Sequence, residues 1–283
     1  MKKFKILAAL TLALCLSATS ADAAKLRLMS YNIRFISPDD KGEFSWESRK
    51  AANIAMFNDV DPDVFGLQEP MWGISEYLFD NLPAYDHYLA YRDPEGGKNG
   101  RCQIIFWKKD KYDLLDKGMF YLSETPETYS RSWDSSQVRY TVYVKLRDRR
   151  TGDEFWYFDT HLDHRGPIAK QNGAKVNVEK MKELAGEDAV VFISGDMNIQ
   201  REKSNGSWLD PYFEWMSWAR SAATRTCDRY TFNGFGYEGK NPGWLDHIFF
   251  RNAKALRYDV IDSDGYGVKY ISDHYPIICD FKF

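Results

Sequence analysis

The chain has 283 residues, of which 38 are Lys or Arg and 41 are Asp or Glu, so its formal net charge at pH 7 is −3. This length is sufficient for one large α/β domain with a well-buried core. The sequence has no basic tail and no run of Lys or Arg. That argues against an extended nucleic-acid-binding track, but not against a nuclease with a locally basic cleft.

The first residues have the features of a secretory signal. A lysine-rich start is followed by a short apolar run and by the small-residue pattern Ala21-Asp22-Ala23. The apolar run is too short for a membrane span, which needs about 20 residues. We therefore predict a signal peptide over residues 1–23, a domain over residues 24–283, and export to the periplasm or the medium. No other segment of the sequence predicts a transmembrane span.

The cysteines leave two questions open. Lipid attachment at Cys15 is the less favoured alternative to cleavage, because the preceding Leu14 is large where such sites usually carry a small residue. The other three cysteines are far apart in the sequence, which does not favour a zinc site. In an exported protein they permit one disulfide and one free thiol, or no disulfide. They are Cys102, Cys227 and Cys279.

Strand-like and helical patterns alternate from the start of the predicted domain. Residues 26–33 are apolar and β-favouring, which predicts a strand. Residues 46–60 have a helical stripe of apolar residues, and Asp61-Pro62 ends this helix. Residues 64–68 then predict a second strand.

The middle of the chain predicts further strands of two kinds. Residues 138–147 alternate between apolar positions and positions that include Arg139, Lys145 and Arg147. This alternation is typical of a half-buried strand in an antiparallel sheet. Residues 155–158 and residues 190–193 are continuously apolar, which predicts central strands.

The last third of the chain predicts a helix, a long loop and a strand. Asp210-Pro211 has the pattern of an N-cap followed by proline in the first turn, which predicts a helix through Trp218. Several glycines then indicate a loop before a strand at residues 248–250. Mixed and antiparallel strands interleaved with helices predict an α/β fold in four layers, a sandwich of two packed mixed or antiparallel β-sheets flanked by helices.

Histidines and acidic residues concentrate at the predicted strand ends. Four of the five histidines lie beside aspartates in the segments 160–164, 245–248 and 272–276. Glu69 and Asp196 follow two further strands. A chain that is poor in histidine and places it beside carboxylates is typical of a hydrolytic site.

The carboxylates favour a hard metal ion. Glu69, Asp196 and Asp273 each lie at a strand end, and Asn32 offers an amide oxygen at the end of the first strand. Oxygen ligands of this kind suit Mg²⁺, which binds few carboxylates and leaves positions for phosphate. Zinc bound through His161 and His164 is an alternative, but the other upstream histidine, His87, is distant in the sequence.

The order of these motifs along the chain resembles that of the endonuclease/exonuclease/phosphatase superfamily. Finer features resemble its secreted bacterial branch, namely Asp40-x-Gly42 with Trp46-x-x-Arg49, and Asp163-His164-Arg165-Gly166. This superfamily includes DNase I, abasic-site endonucleases, neutral sphingomyelinases, deadenylases and inositol-polyphosphate 5-phosphatases. The resemblance implies the DNase I-like fold and hydrolysis of a phosphoester. It rests on motifs in family order, which are Tyr31-Asn32, Leu67-Gln68-Glu69, Thr160-His161-Leu162, Gly195-Asp196-Met197-Asn198, Leu245-Asp246-His247-Ile248 and Ser272-Asp273-His274.

The resemblance also implies roles for individual residues. Glu69 would be the main ligand of Mg²⁺ or Mn²⁺, with Asn32 and Asp273 completing or adjoining the site. The remaining residues would act on the water and the phosphate. Asp196, positioned with Asn198, would orient and deprotonate the attacking water, Asp246 would polarise His274, and His161 would donate to a non-bridging phosphate oxygen. The sequence leaves open which of Asp196 and His274 is the general base.

One segment departs from the pattern of the branch. Relatives often carry Gly-Glu before the next strand, where this chain has Gly100-Arg101. The sequence therefore leaves open whether a second acidic group supports the cleft.

The sequence thus predicts a secreted, Mg²⁺-dependent phosphoesterase that acts on a phosphodiester or a phosphomonoester. Nucleic acid, a phospholipid head group and a sugar or inositol phosphate all remain candidate substrates, and no stable protein partner is implied. A catalytically inactive binding protein on the same fold and a zinc-dependent hydrolase are the alternatives. The first is disfavoured because every expected site position is filled.

Overall fold

The computed structural model describes residues 23–237 and 241–283. The predicted signal peptide, apart from Ala23, and Cys15 lie outside the described residues. The described strands are β1 (Lys25–Asn32), β2 (Val64–Gln68), β3 (Tyr85–Tyr91), β4 (Cys102–Lys108), β5 (Tyr112–Tyr121), β6 (Tyr140–Asp148), β7 (Glu154–His161), β8 (Val190–Asp196), β9 (Ser217–Trp218), β10 (Asp246–Arg251), β11 (Lys254–Val260) and β12 (Ile277–Lys282). The described α-helices are α1 (Trp46–Val60), α2 (Trp72–Asn81), α3 (Pro167–Ala185), α4 (Asp210–Trp215) and α5 (Ala219–Ala222).

The strands form two six-stranded sheets. The first has the order β11-β12-β1-β2-β4-β3, and the second has the order β5-β6-β7-β8-β10-β9. Strands β1 and β2 are parallel, as are β7 and β8, and the other neighbours are antiparallel. The predicted fold of two packed, mixed sheets flanked by helices is confirmed.

Three apolar layers hold the sheets and helices together. Leu28, Val144 and Phe192 belong to the layer between the two sheets. A second layer joins the first sheet to α1 and α2, and a third joins the second sheet to α3 and α4. Burial of apolar surface stabilises the fold by about 25 cal/mol per Å² removed from water, so these layers fix the relative position of the two sheets.

Helix α1 has the predicted boundaries because its ends carry specific local signals. The side chain of Ser45 accepts a hydrogen bond from the backbone N–H of Ser48, as an N-cap does. At the other end, Asp61 adopts a left-handed φ of 47°, and Pro62 cannot continue the helix. The buried face of the helix includes Met56 and Phe57.

The helix predicted from Asp210 to Trp218 is shorter than expected. It ends at Trp215, because Ser217 and Trp218 form β9 and pair with β10. Asp210 does not serve as the N-cap, which is Leu209. The carboxylate of Asp210 instead forms an ion pair of 2.5 Å with Arg201.

Two further sequence expectations concern membranes and cysteines. No helix in residues 23–237 and 241–283 is long and apolar enough to cross a membrane. The described cysteines are free thiols, namely Cys102, Cys227 and Cys279.

Candidate active site

The register of the second sheet brings three predicted site residues into one row. His161 on β7 lies opposite Asp196 on β8, and Asp196 lies opposite Asp246 on β10. Neighbouring residues in register project on the same face of a sheet, so the three side chains meet at one edge. All three side chains are buried.

The first sheet contributes residues from the matching ends of its parallel strands. Asn32 ends β1, and Glu69 directly follows β2. Glu69 has a φ of 71°, a left-handed conformation that is uncommon for a residue with a side chain and that turns the chain sharply at the strand end. The two side chains therefore reach the cleft where the sheets meet.

A buried polar network joins the two sheets beneath these residues. Nε2 of Gln68 donates to Oδ1 of Asp159 at 2.6 Å, and Nε2 of Gln103 donates to Oδ2 of Asp159 at 3.2 Å. Gly66 leaves the space for this network, since a Cβ there would lie 2.2 Å from Oδ1 of Asp159. Gln68 precedes Glu69 and Asp159 lies near the end of β7, so the network ties together strands that carry site residues.

The segment that carries Asp273 and His274 is fastened to β1 and α1. The hydroxyl of Ser272 donates to the carbonyl of Asn32 at 2.7 Å. The fully buried guanidinium of Arg49 donates to the carbonyls of Ile33 and Ile271, at 3.1 and 2.8 Å. These bonds hold the segment against the end of β1.

Asp246 and His274 form a buried carboxylate–imidazole pair. Nδ1 of His274 donates to Oδ2 of Asp246 at 2.8 Å, and the same oxygen accepts a hydrogen bond of 2.6 Å from Thr231. Burial opposes a charge on His274, but the carboxylates of Asp246 and Asp196 outweigh it and raise the pKa of the imidazole. His274 is therefore a cationic donor in this arrangement.

Asp196 lies at the centre of the site. Its Oδ2 accepts a hydrogen bond of 3.0 Å from Nδ2 of Asn32 and lies 3.4 Å from Nε2 of His161 and 3.6 Å from Nε2 of His274. Its Oδ1 accepts a hydrogen bond of 2.9 Å from the backbone N–H of Asn198. Burial raises the pKa of Asp196; the charge of His274 opposes this rise, and Asp246 adds to it.

Asn198 positions Asp196 through its backbone N–H. It has a left-handed φ of 53°, which directs its N–H at Asp196. Its side chain donates to the carbonyl of Leu162 at 3.1 Å and so links the ends of β7 and β8.

His161 differs from His274 in charge. Burial lowers the pKa of His161 well below its usual value, and the charges of Arg139, Arg92 and Arg101 add to this effect. His161 is therefore neutral, with one ring nitrogen able to donate. The two histidines beside Asp196 therefore differ in protonation. His274 is the charged donor and His161 is the neutral donor.

The carboxylates of Glu69 and Asp273 fit a hard divalent cation. Among the described residues, Glu69 makes long contacts of 3.4 Å, one to the backbone N–H of Phe35 and one to Arg101. Asp273 receives a contact of 3.3 Å from Arg34. Carboxylate oxygens are ligands that suit Mg²⁺, and the long contacts leave these two carboxylates available for a cation. Asn32 adjoins them, although its amide oxygen accepts a bond of 3.1 Å from the backbone N–H of Arg34.

The zinc alternative has no histidine cluster to support it. In the part of the chain that the structure describes, the group of three or more His, Cys, Asp or Glu side chains near enough to share an ion is Asp196, Asp246 and His274. Nδ1 of His274 is already engaged with Asp246 in that group. His164 instead contacts Nη2 of Arg139 at 3.2 Å.

His247 lies outside the cleft. It follows Asp246 on β10 and therefore projects from the opposite face of the sheet, where it is fully buried. Its Nε2 lies 2.8 Å from the carbonyl of Ile199. It packs in the core and takes no part in the cleft.

Arginines form the part of the cleft that the sequence motifs did not locate. Arg34 binds both carboxylate oxygens of Asp40, at 2.8 and 3.0 Å. Arg139, expected on the exposed face of its strand, is only 5% exposed and lines the cleft. Arg101 lies beside Glu69. The departure at Gly100-Arg101 marked one of these positions, but the sequence could not place its side chain, because the reach of a long side chain depends on its packing.

The cleft is small and mixed in charge. Its volume is about 250 Å³. A larger groove of about 520 Å³ lies between α3 and α4 and contains none of the predicted site residues. The cleft is lined by Asn32, Arg34, Phe35, Glu69, Arg101, Gln137, Arg139, His161, His164, Asp196, Asn198, Phe232, Asp273 and His274.

Comparison with protein families gives a match over most of the chain. A model described as the Endonuclease/Exonuclease/phosphatase family matches residues 29–274. Among curated proteins, the chain is 24% identical over 173 residues to a CCR4-Not complex 3'-5'-exoribonuclease subunit of Coccidioides immitis. That match covers 52% of this chain and 23% of the relative, and the chain spans only about a fifth to a quarter of the curated relatives that it matches.

Solved structures give similarities over nearly the whole length of both chains. A mannosyl-6-phosphatase of Bacteroides thetaiotaomicron is 30% identical with a TM-score of 0.83, and the match covers 91% of this chain and 100% of that one. An endonuclease/exonuclease/phosphatase of Bacteroides vulgatus is 28% identical, also with a TM-score of 0.83, over 91% of this chain and 98% of that one.

Proposed function

The chain belongs to the endonuclease/exonuclease/phosphatase family, whose members are hydrolases of phosphoester bonds, and we propose that it is an exported, Mg²⁺-dependent phosphoesterase. The observation that carries this proposal is the position of Asp196. Its carboxylate lies between the Nε2 atoms of His161 and His274, at 3.4 and 3.6 Å, in a cleft that also holds Glu69 and Asp273. A proton acceptor, two donors and two carboxylates that would hold a metal ion support phosphoester hydrolysis.

The reaction is the in-line attack of water on phosphorus. Asp196 orients the water and accepts its proton, while Asn32 and Asn198 hold the carboxylate in place. The bond between phosphorus and the leaving oxygen breaks, and that oxygen leaves with the bonding electrons and takes up a proton from solvent. The products of a monoester are an alcohol and inorganic phosphate.

The two histidines stabilise the charge that develops on the phosphate. His274 is oriented by Asp246 and presents Nε2 to the cleft, where it donates to an oxygen of the phosphate. Neutral His161 donates to a non-bridging oxygen. Preorganised donors in a water-poor site contribute most where charge appears in the transition state.

Enzymes of this family typically depend on a divalent metal ion. Glu69 and Asp273 would hold Mg²⁺ or Mn²⁺, with Asn32 adjoining them. A bound Mg²⁺ would neutralise negative charge on the phosphate during the reaction.

We infer that the substrate is a small phosphomonoester. The cleft volume of about 250 Å³ suits a sugar phosphate, and the similar mannosyl-6-phosphatase supports this substrate class. The predicted signal peptide over residues 1–23 supports action outside the cytoplasm.

The first test is an assay of the purified protein on p-nitrophenyl phosphate and bis(p-nitrophenyl) phosphate, after chelation and after addition of Mg²⁺, Mn²⁺ or Zn²⁺. We expect hydrolysis that chelation abolishes and that Mg²⁺ or Mn²⁺ restores, with preference for the monoester. Restoration by Zn²⁺ alone would instead support the zinc hydrolase. No hydrolysis of either ester or of a panel of sugar phosphates, in a protein that still binds Mg²⁺, would support the inactive binding protein.

A further inference from the structure

Arg101 places a positive charge in the cleft, and the fold does not require a charge at this position. Its backbone is fixed, because the carbonyl of Pro70 accepts from the N–H of Cys102 at 2.9 Å and Arg101 itself forms a β-bridge with Met71. Its guanidinium carbon lies 3.7 Å from the centre of the Phe35 ring. Stacking on Phe35 therefore holds the guanidinium in the cleft next to Glu69.

The cleft arginines differ in how far their charges are neutralised. Arg34 is bound at two points by Asp40. Arg101 makes one salt bridge with the described residues, a long contact of 3.4 Å between its Nη1 and Oε1 of Glu69. A cation bound by Glu69 would remove much of that partner's charge, so the guanidinium would be left to interact with another anion.

A second arginine gives independent evidence for an anion. Arg139 is 5% exposed, and its Nε has no hydrogen-bond partner among the residues that the structure describes. The carboxylate of Asp163 is 3.7 Å from that atom, which is too far for a hydrogen bond. The Nε atom itself is closed to solvent, but the side chain of Arg139 lines the cleft, so its charge lies beside an anion bound there.

We propose that Arg101, together with Arg139, binds the terminal oxygens of the substrate phosphate and makes the site select phosphomonoesters over phosphodiesters. This inference rests on the proposed function. A monoester carries two negative charges and three terminal oxygens near neutral pH, whereas a diester carries one charge and two. Two guanidinium groups on one phosphate therefore stabilise the monoester more than the diester.

Arg101→Gln tests this assignment with Arg147→Gln as its matched control. Arg147 is 46% exposed on β6 and pairs with Glu154, away from the cleft. We would measure kcat/KM for p-nitrophenyl phosphate and for bis(p-nitrophenyl) phosphate in Mg²⁺. Separately, calorimetry would measure binding of inorganic phosphate to the metal-free and Mg²⁺-loaded proteins. Arg101→Lys, which keeps the charge but loses the planar fork, is a third variant.

We expect Arg101→Gln to lower kcat/KM for the monoester by about 10- to 100-fold, the range for a lost hydrogen bond to a charged group, and to lower that for the diester by less than about 3-fold. The affinity of Mg²⁺-loaded Arg101→Gln for phosphate should be weaker than that of the wild type by at least about 10-fold. The affinity of Arg101→Lys should lie between those of Arg101→Gln and the wild type. Equal losses for both esters, or unchanged phosphate affinity, would overturn the proposal.

The kinetic measurement and the phosphate titration together separate this proposal from the proposed function. If the wild type hydrolyses neither ester, the proposed function is in question, and the phosphate titration alone decides the role of Arg101. Wild-type protein that binds no phosphate, whether metal-free or Mg²⁺-loaded, would also overturn the proposed role of Arg101. Thermal unfolding of each variant shows whether a loss reflects misfolding.

Discussion

Oδ2 of Asp246 lies 2.8 Å from Nδ1 of His274, and both side chains are buried at the edge of the cleft. The pair spans the two sheets, since Asp246 begins β10 and His274 lies in the segment that leads to β12. A carboxylate in this position fixes the orientation of the imidazole and directs Nε2 at the reacting groups.

Replacement of His274 by Ala should lower kcat by about 10² to 10⁴, the usual range for an acid or base group. Asp246→Asn should lower it as well, because the amide does not stabilise a charged imidazole. Steady-state kinetics on p-nitrophenyl phosphate would measure both. His87→Ala is the control, as His87 lies on β3 and stacks on Phe79 away from the cleft. Near-normal turnover of His274→Ala would remove it from the mechanism.

Asp196→Asn should separate activity from stability. We expect kcat to fall by about 10² to 10⁴ because the amide cannot accept the proton of water. Burial penalises the charge of Asp196, so the isosteric amide should leave Tm unchanged or raise it. Kinetics and thermal unfolding would be measured on the same sample. A variant that loses activity and Tm together would indicate a structural role for Asp196.

Glu69→Gln should weaken Mg²⁺ binding as well as activity. The substitution keeps the shape of the side chain but removes the negative charge that attracts the cation. Titration calorimetry with Mg²⁺ measures this directly, without substrate. Glu76→Gln on the exposed side of α2 is the matched control. Unchanged Mg²⁺ affinity in Glu69→Gln would exclude Glu69 as a main ligand.

Asp159→Asn should stabilise the protein increasingly as the pH rises. Burial raises the pKa of Asp159 well above its usual range, although Gln68 and Gln103 oppose this shift. The folded protein therefore keeps this proton to a higher pH than the unfolded chain, in which the carboxyl has a pKa of about 4. The wild type therefore loses stability as the pH rises from the unfolded-state pKa of Asp159 toward its folded-state pKa. Asp159→Asn has no ionisable group at this position and avoids this loss.

Differential scanning calorimetry at about pH 5 and about pH 8 tests this expectation. The increase of Tm in Asp159→Asn over the wild type should be larger at the higher pH. Asp113→Asn is the control, since Asp113 is half-exposed and pairs with Arg149. A gain that shrinks toward alkaline pH would contradict the assignment.

The sequence predicted those parts of the site that depend on strand ends. Glu69 and Asp196 follow apolar strands, and the parallel pairs β1–β2 and β7–β8 bring such ends to one edge. The arginines could not be located in this way. Arg139 appears on the polar face of an alternating strand, yet the packing of the two sheets buries it in the cleft.

Local signals also explain which helix boundary was predicted correctly. Ser45 and Asp61-Pro62 are short-range signals, so the limits of α1 can be read from the chain. The end of α4 depends instead on the pairing of Trp218 with Phe249, which lies far along the sequence. A contact of that kind leaves no local pattern.

The pairing of β12 with β1 has a consequence for how the site is assembled during folding. Residues 277–282 lie between β11 and β1, so the first sheet remains divided until this segment pairs with both strands. Pairings between distant segments form slowly, because a long loop must close, at a cost in entropy, before any contact stabilises the pairing. Asp273 and His274 directly precede this strand. The segment that carries both residues is therefore held in position only once β12 has paired, and the site is complete only in a chain whose first sheet is closed.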